Sequence, residues 1–175
     1  ALPPREWRDV HREGVEIYLF ANCLQMMNAF PLCASYKNSH QMAPYGRIRV
    51  MKTPPLVSPG PALSVDEVRR YSRHLIIPDV AMAGQQRMMN AKVLCVGAGG
   101  LGSPALMYLA AAGIGTLGIV EFDTVDESNL QRQIIHGQSD IGKSKAESAR
   151  EKIAEINPYV NVNLHETRLD NSNVL

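Results

Sequence analysis

The tightest constraint on this chain sits in one stretch, Ala91-Lys-Val-Leu-Cys-Val-Gly-Ala-Gly-Gly-Leu-Gly-Ser-Pro-Ala-Leu106. Lys92 to Val96 is a short apolar run with strand character. Gly97, Gly99, Gly100 and Gly102 make the following turn glycine-rich, and Ser103-Pro104 opens a segment of helix formers. Strand, glycine turn and helix N-terminus in that order bind phosphate. Glycines let the backbone come close to a phosphate oxygen, and the first-turn N–H groups with the helix dipole favour its negative charge. Pro104 suits a first-turn position, where a missing N–H costs nothing.

A Gly-x-Gly-x-x-Gly match alone is weak, because glycines also collect in ordinary strand-to-helix turns. Its flanks strengthen it. A second apolar run, Thr116 to Val120, ends in Glu121-Phe-Asp123 about twenty residues past the turn, where an acidic side chain can take ribose hydroxyls.

The rest of the chain bounds the alternatives. Its 175 residues suffice for one domain with a sizeable core. Eighteen basic and seventeen acidic residues are interspersed, and the net charge of +1 gives no nucleic-acid signal. Cys23, Cys33 and Cys95 are an odd set at unrelated spacings, which argues against a disulfide framework and a zinc site within these residues. Cys95, inside the first strand, reads as a small buried hydrophobe. Residues 1–60 lack sustained periodicity and are expected to be a disordered extension, with a natural start expected at Met51. Val15 to Ser35 is too interrupted by polar residues to span a membrane, and no signal peptide is recognisable.

Residues 61–175 read as the partial domain. Ser64-Val-Asp-Glu67 is a capping-box pattern starting a helix through about His74, whose arginines could simply form a solvated face. Gly84 to Asn90 is a second short helix. After the glycine turn, Leu101, Ala105, Leu109 and Ala112 recur at helical spacing and stop at Gly113-Ile-Gly115. Ser144 to Ile156 is the next helix, with Ala146, Ala149, Ile153 and Ile156 on one face and Asn157-Pro158 as its stop. Val160, Val162 and Leu164 alternate as a further strand. The expected fold is α/β and Rossmann-like, β-α-β-loop-α-β: the first half of a doubly wound sheet, preceded by a helical segment.

The loop after the second strand narrows the chemistry. A dehydrogenase needs one acidic residue there for ribose and has no use for Ser128-Asn-Leu-Gln-Arg-Gln133. A triphosphate needs positive charge, and Arg132 with Lys145 would supply it. Against this, Lys145 can be read as a solvated lysine, and Asp123 and Asp126 as turn caps.

From Tyr71 to Leu169 the chain resembles the ThiF/MoeB superfamily, bacterial relatives of ubiquitin-activating enzymes, most of all its actinobacterial MoeB/MoeZ branch. The resemblance rests on Arg70-Tyr-Ser-Arg73-His, Gly97-Ala-Gly-Gly-Leu-Gly102, Glu121-Phe-Asp-Thr-Val-Asp126, Ser128-Asn-Leu-Gln-Arg-Gln133, Gly142-Lys-Ser-Lys145 and Ile156-Asn-Pro158, in register. It implies ATP and Mg²⁺ binding and adenylation of the C-terminal Gly-Gly carboxylate of a ubiquitin-like sulfur-carrier protein, serving molybdenum-cofactor, thiamine or other sulfur transfer, by a cytoplasmic homodimer. Gly97, Gly99, Gly100 and Gly102 would face the nucleotide, Gly100 lying directly against it. Glu121 and Asp123 would stand at the ribose, while Asn129, Arg132 and Lys145 contact the phosphates. Arg73 would reach into the other subunit's site, so Arg73, Arg132 and Lys145 are the expected catalytic set. No metal ligand is assigned within these residues. The ribose position, usually Asp in the family, is Glu121. The Mg²⁺-linked Thr-Asp-Asn motif and the zinc-binding cysteine pairs would fall beyond Leu175, which leaves half an adenylation domain. Two other readings stand beside this one: an inactive fragment that binds nucleotide weakly or dimerises, and an NAD-dependent oxidoreductase half-domain.

Overall fold

The computed structural model describes residues 16–20, as backbone, together with 55–170 and 172–173. Four parallel strands form one sheet in the order β1-β2-β3-β4: β1 Glu16–Phe20, β2 Lys92–Val96, β3 Thr116–Val120 and β4 Asn161–His165. The pairing puts Lys92 opposite both Glu16 and Thr116, and Thr116 opposite Asn161. All the carboxyl ends therefore lie on one side, where α/β sheets bind ligands.

The helices are α1 Val65–Arg70, α2 Ser72–Leu75, α3 Ala81–Asn90, α4 Gly102–Ala112 and α5 Lys145–Ile156. The capping box of α1 forms as the sequence indicates. Ser64 Oγ accepts from the Glu67 N–H at 3.3 Å, and Glu67 Oε2 accepts from the Ser64 N–H at 2.7 Å. The single helix expected through His74 is split at Tyr71, which leaves the helical register to bury its ring. The next helix begins at Ala81, three residues before the expected Gly84.

Three further expectations are corrected. Helix α4 buries Gly102, Ser103, Leu106 and Ala110, whereas Leu101 is exposed. Residues 101, 105, 109 and 112 do share a face, but the sheet meets the adjacent face, so periodicity found a helix and misplaced its contact stripe by about one residue. The extension expected over residues 1–60 carries a strand at Glu16–Phe20, which pairs with the otherwise open edge of β2. Residues just before 61 are also tied to α3: the Gly60 N–H donates to Gln86 O at 3.2 Å, Asn90 Nδ2 donates to Ser58 O at 3.2 Å, and Val57 packs on the core. Cys23, Cys33 and Met51 lie outside the described residues.

The core is built where the expected strands and helices meet: Val93, Cys95, Leu106, Ala110, Leu117, Ile119, Ile135, Ala149 and Ile153 are buried together. Truncating a fully buried member such as Leu106 to Ala costs about 2–5 kcal/mol. Burial pushes the Cys95 thiol up to about 11, so it is an inert neutral hydrophobe at neutral pH. Among the described residues no helix is long and apolar enough to cross a membrane.

Candidate functional site

At the carboxyl end of β2 the chain turns through Gly97, whose φ of +93° disfavours any side chain. Its N–H donates to Val120 O at 2.8 Å, and α4 starts five residues later. Gly99 and Gly100 differ from Gly97. Neither has positive φ, and a Cβ on either would meet only ordinary contacts, Gln133 Nε2 at 3.7 Å from Gly99 and the Arg132 stem at 3.5 Å from Gly100. Nothing within the described protein demands glycine at these two positions. Their missing side chains leave bare backbone for a close-approaching group, which is what a phosphate at a helix N-terminus requires.

Those same distances show that the loop after β3 folds back over the turn. Asp126 initiates it by accepting from the Ser128 N–H at 2.8 Å and from the Ser128 hydroxyl, contacts that hold its carboxyl below the usual range. A short 3₁₀ turn, Glu127–Asn129, follows. Arg132 then lays its aliphatic stem beside Gly100 and donates from Nη1 to Ser128 O at 3.2 Å, with its guanidinium end exposed. Gln133, five per cent exposed, sits beside Gly99.

Glu121 is buried, and its carboxylate ties the turn to β3. Oε2 accepts from the Ala98 N–H at 2.9 Å, and Oε1 accepts from the N–H groups of Phe122 at 2.9 Å and Asp123 at 3.1 Å. The longer side chain is thus used to reach the turn's backbone. Oε1 therefore has both lone-pair directions engaged, while Oε2 keeps one, which is the acceptor capacity the carboxylate retains.

Lys145 is not a solvated lysine. Its side chain is only six per cent exposed, and Nζ donates to Asp123 Oδ2 at 3.2 Å. Its backbone N–H donates to Asp123 O at 2.9 Å, and Thr124 bridges Ser144, so the start of α5 is bound to the end of β3. One ion-pair contact leaves two of the three ammonium donors uncommitted.

Sequence reading missed the support beneath the turn. His136 is buried and joins Ala98 O at 3.3 Å to Ser148 Oγ at 2.8 Å. Because a carbonyl can only accept, Nε2 carries the proton and Nδ1 accepts from the Ser148 hydroxyl. Burial is the main reason its pKa lies below the ordinary value. Ser103 Oγ donates to the same Ala98 O at 2.9 Å. A lone histidine and two serines carry no pattern that could have announced this role.

Two expected site residues make no hydrogen bond to the turn among the described residues. Asn129 contacts its own loop, donating from Nδ2 to Ser128 Oγ at 3.2 Å. Arg73 is exposed and lies two residues from Tyr71, which packs against Gly113 at the far end of α4. An eleven-residue helix separates those ends by about 16 Å.

Comparison with known proteins places this geometry. A Mycobacterium tuberculosis protein named probable adenylyltransferase/sulfurtransferase MoeZ is 66% identical over 122 residues, covering 70% of this chain and 31% of that protein. A Porphyra purpurea protein named probable molybdopterin-synthase adenylyltransferase is 56% identical over 112 residues, 64% of this chain and 29% of its own length. The chain therefore spans less than a third of the length of these two relatives. Among solved structures, the E. coli tRNA N6-threonylcarbamoyladenosine dehydratase TcdA in complex with AMP superposes with a TM-score of 0.60 at 30% identity, over 66% of this chain and 46% of that one. The same enzyme in complex with ATP gives a TM-score of 0.59. The ThiF family signature matches residues 71–175, more than half of the sequence, and the chain belongs to the ThiF family.

Proposed function

We propose that this chain supplies the ATP side of an adenylyltransferase that activates the C-terminal Gly-Gly carboxylate of a ubiquitin-like sulfur-carrier protein in the cytoplasm. The observation that carries the reading is the pairing of bare glycine backbone at Gly99 and Gly100 with the Arg132 stem beside it and a buried Lys145 close by. In the reaction, a carrier carboxylate oxygen attacks the α-phosphorus of ATP, the bond to the bridging oxygen breaks, and pyrophosphate leaves with that electron pair. Negative charge grows on the α-phosphate oxygens and on the departing group. The exposed Arg132 guanidinium, the two free Lys145 donors and the N-terminus of α4 offset it in place, without reorganisation during the step. Glu121 takes a ribose hydroxyl on the remaining lone pair of Oε2, and Asp123 holds Lys145 in position.

Magnesium would further neutralise the phosphates, but the described residues contain no group of three or more His, Cys, Asp or Glu placed to hold a metal ion. The distance from Arg73 to the turn of its own chain fits the proposal that it acts in the site of a second copy, in a homodimer.

The test is carrier-dependent exchange of labelled pyrophosphate into ATP by a chain extended to the length of its relatives, with thermal-shift titrations of ATP and NAD on the present chain. Exchange with stabilisation by ATP is expected. Stabilisation by NAD in preference to ATP would replace the adenylyltransferase reading with the oxidoreductase one. ATP stabilisation without exchange would favour the inactive nucleotide-binding module.

A further inference from the structure

The peptide unit joining Ala98 to Gly99 is gripped on one side and open on the other. Its carbonyl oxygen belongs to a fully buried residue and accepts from Ser103 Oγ at 2.9 Å and from His136 Nε2 at 3.3 Å, so both lone-pair directions are engaged. His136 is itself held in place. Its backbone N–H donates to Gln133 O at 3.1 Å, and Nδ1 accepts from the Ser148 hydroxyl of α5 at 2.8 Å, which fixes the tautomer that presents Nε2–H to the carbonyl. Ser103, His136 and Ser148 are all buried. The Gly99 N–H, by contrast, donates to no group among the described residues. A planar trans peptide sets its N–H antiparallel to its C=O. With the carbonyl drawn inward by two buried donors, the Gly99 N–H points the opposite way, out of the protein interior.

We propose that His136 is a positioning residue: with Ser103 it clamps the Ala98 carbonyl and thereby aims the Gly99 N–H at an anionic oxygen of the ligand. This inference rests on the nucleotide reading above, in which that oxygen belongs to the phosphates, and it gives a role to a side chain that itself touches no ligand. Two donors on one carbonyl also draw electron density through the amide, so the N–H on its far side becomes a stronger donor. An N–H oriented in advance loses no further freedom when the ligand arrives.

The experiment compares the parent chain with His136→Leu, His136→Gln and Ser103→Ala. Amide resonances are recorded without ligand, and ATP and adenosine are titrated calorimetrically. A glutamine can still donate to the Ala98 carbonyl, whereas a leucine cannot. The Gly99 amide nitrogen, whose resonance senses hydrogen bonding at the preceding carbonyl, should move upfield in His136→Leu and Ser103→Ala and stay near its parent position in His136→Gln. ATP affinity should fall about tenfold in His136→Leu, fall in the same direction in Ser103→Ala and return to within about twofold of the parent in His136→Gln. Adenosine affinity should be the same throughout. Equal ATP affinity in His136→Leu and the parent overturns the inference and leaves the nucleotide reading standing. A loss that glutamine does not rescue assigns His136 to packing and also overturns it. If His136→Leu does not fold, Ser103→Ala decides: an unmoved Gly99 resonance or parent-like ATP affinity overturns the clamp. A parent chain that binds ATP no more tightly than adenosine overturns the inference alone, because the Gly99 N–H then meets no phosphate. One that binds neither overturns both readings.

Discussion

The two ends of helix α4 are both crowded with residues from the motifs that mark this family, and they are built on opposite principles. At the C-terminal end Asn157, Gln85 and Arg70 are bonded to other parts of the chain. Asn157, fully buried, donates to Tyr71 Oη at 2.9 Å and to Ala110 O at 2.8 Å, and its Oδ1 accepts from the Tyr159 N–H at 3.2 Å. Gln85, equally buried, accepts from His74 Nδ1 at 2.9 Å and donates to Ala112 O at 3.0 Å. Arg70 donates to Ile156 O at 3.0 Å and stacks over Tyr159, while Tyr71 fills the space a Gly113 side chain would need. At the N-terminal end, capacity is left over: two donors on Lys145, an exposed Arg132 and the unpaired amide oxygen of Gln133. A closed polar cluster holds a fold together, and an open one waits for a partner.

The difference predicts separable losses. The largest is expected for Arg132→Ala in a full-length chain. It should reduce carrier-dependent ATP–pyrophosphate exchange about 100-fold or more while changing unfolding free energy by less than about 0.5 kcal/mol, since the guanidinium end is exposed. Exchange at the parent rate would remove Arg132 from the site. Asn157→Leu should do the reverse. By stranding the buried Tyr71 hydroxyl and the Tyr159 N–H it should cost about 3 kcal/mol in denaturant unfolding, with the ATP affinity of the folded protein unchanged.

Gly100→Ala sharpens the comparison at one atom. Its Cβ meets only the Arg132 stem at ordinary distance, so melting temperature should hold while ATP affinity falls roughly tenfold. A loss of stability with unchanged affinity would move Gly100 to the structural side. The smallest effect is expected from His136. Its folded pKa lies below its ordinary value of 6.5, so between those two values the unfolded chain binds more protons than the folded one. Stability should therefore fall as pH drops below about 6.5 and level off beneath the folded pKa, and His136→Gln should flatten that part of the unfolding-versus-pH curve. An unchanged curve would mean that His136 has the same pKa in the folded and unfolded chain.

How far the sequence could be read follows the same division. Strands β2 and β3 were legible to the residue, because apolar runs between turn signals leave one reading, and Gly113 stopped α4 in the left-handed conformation its position implies. The glycine turn, the acidic strand end and the Arg132 loop were legible as an open site because their residue types are chemically distinctive. The closed end was not. Asn157 reads as a helix stop and Arg70 as part of a solvated face until the fold brings them together across 86 residues of chain. The burial of Lys145 and the backbone contacts of Glu121 were hidden for the same reason, since both depend on how the start of α5 and the turn meet β3. The strand at Glu16–Phe20 escaped because five residues among polar interruptions carry too little periodicity to stand out.

The most direct measurement is amide hydrogen exchange with and without ATP and Mg²⁺, read peptide by peptide along α4 and its surroundings. Added protection at residues 97–103, 128–133 and 145, with none at 71–85 or 157–159, is the predicted result. Protection confined to the closed end, or none at the glycine turn under saturating ATP, would contradict the assignment of the open end as the nucleotide site.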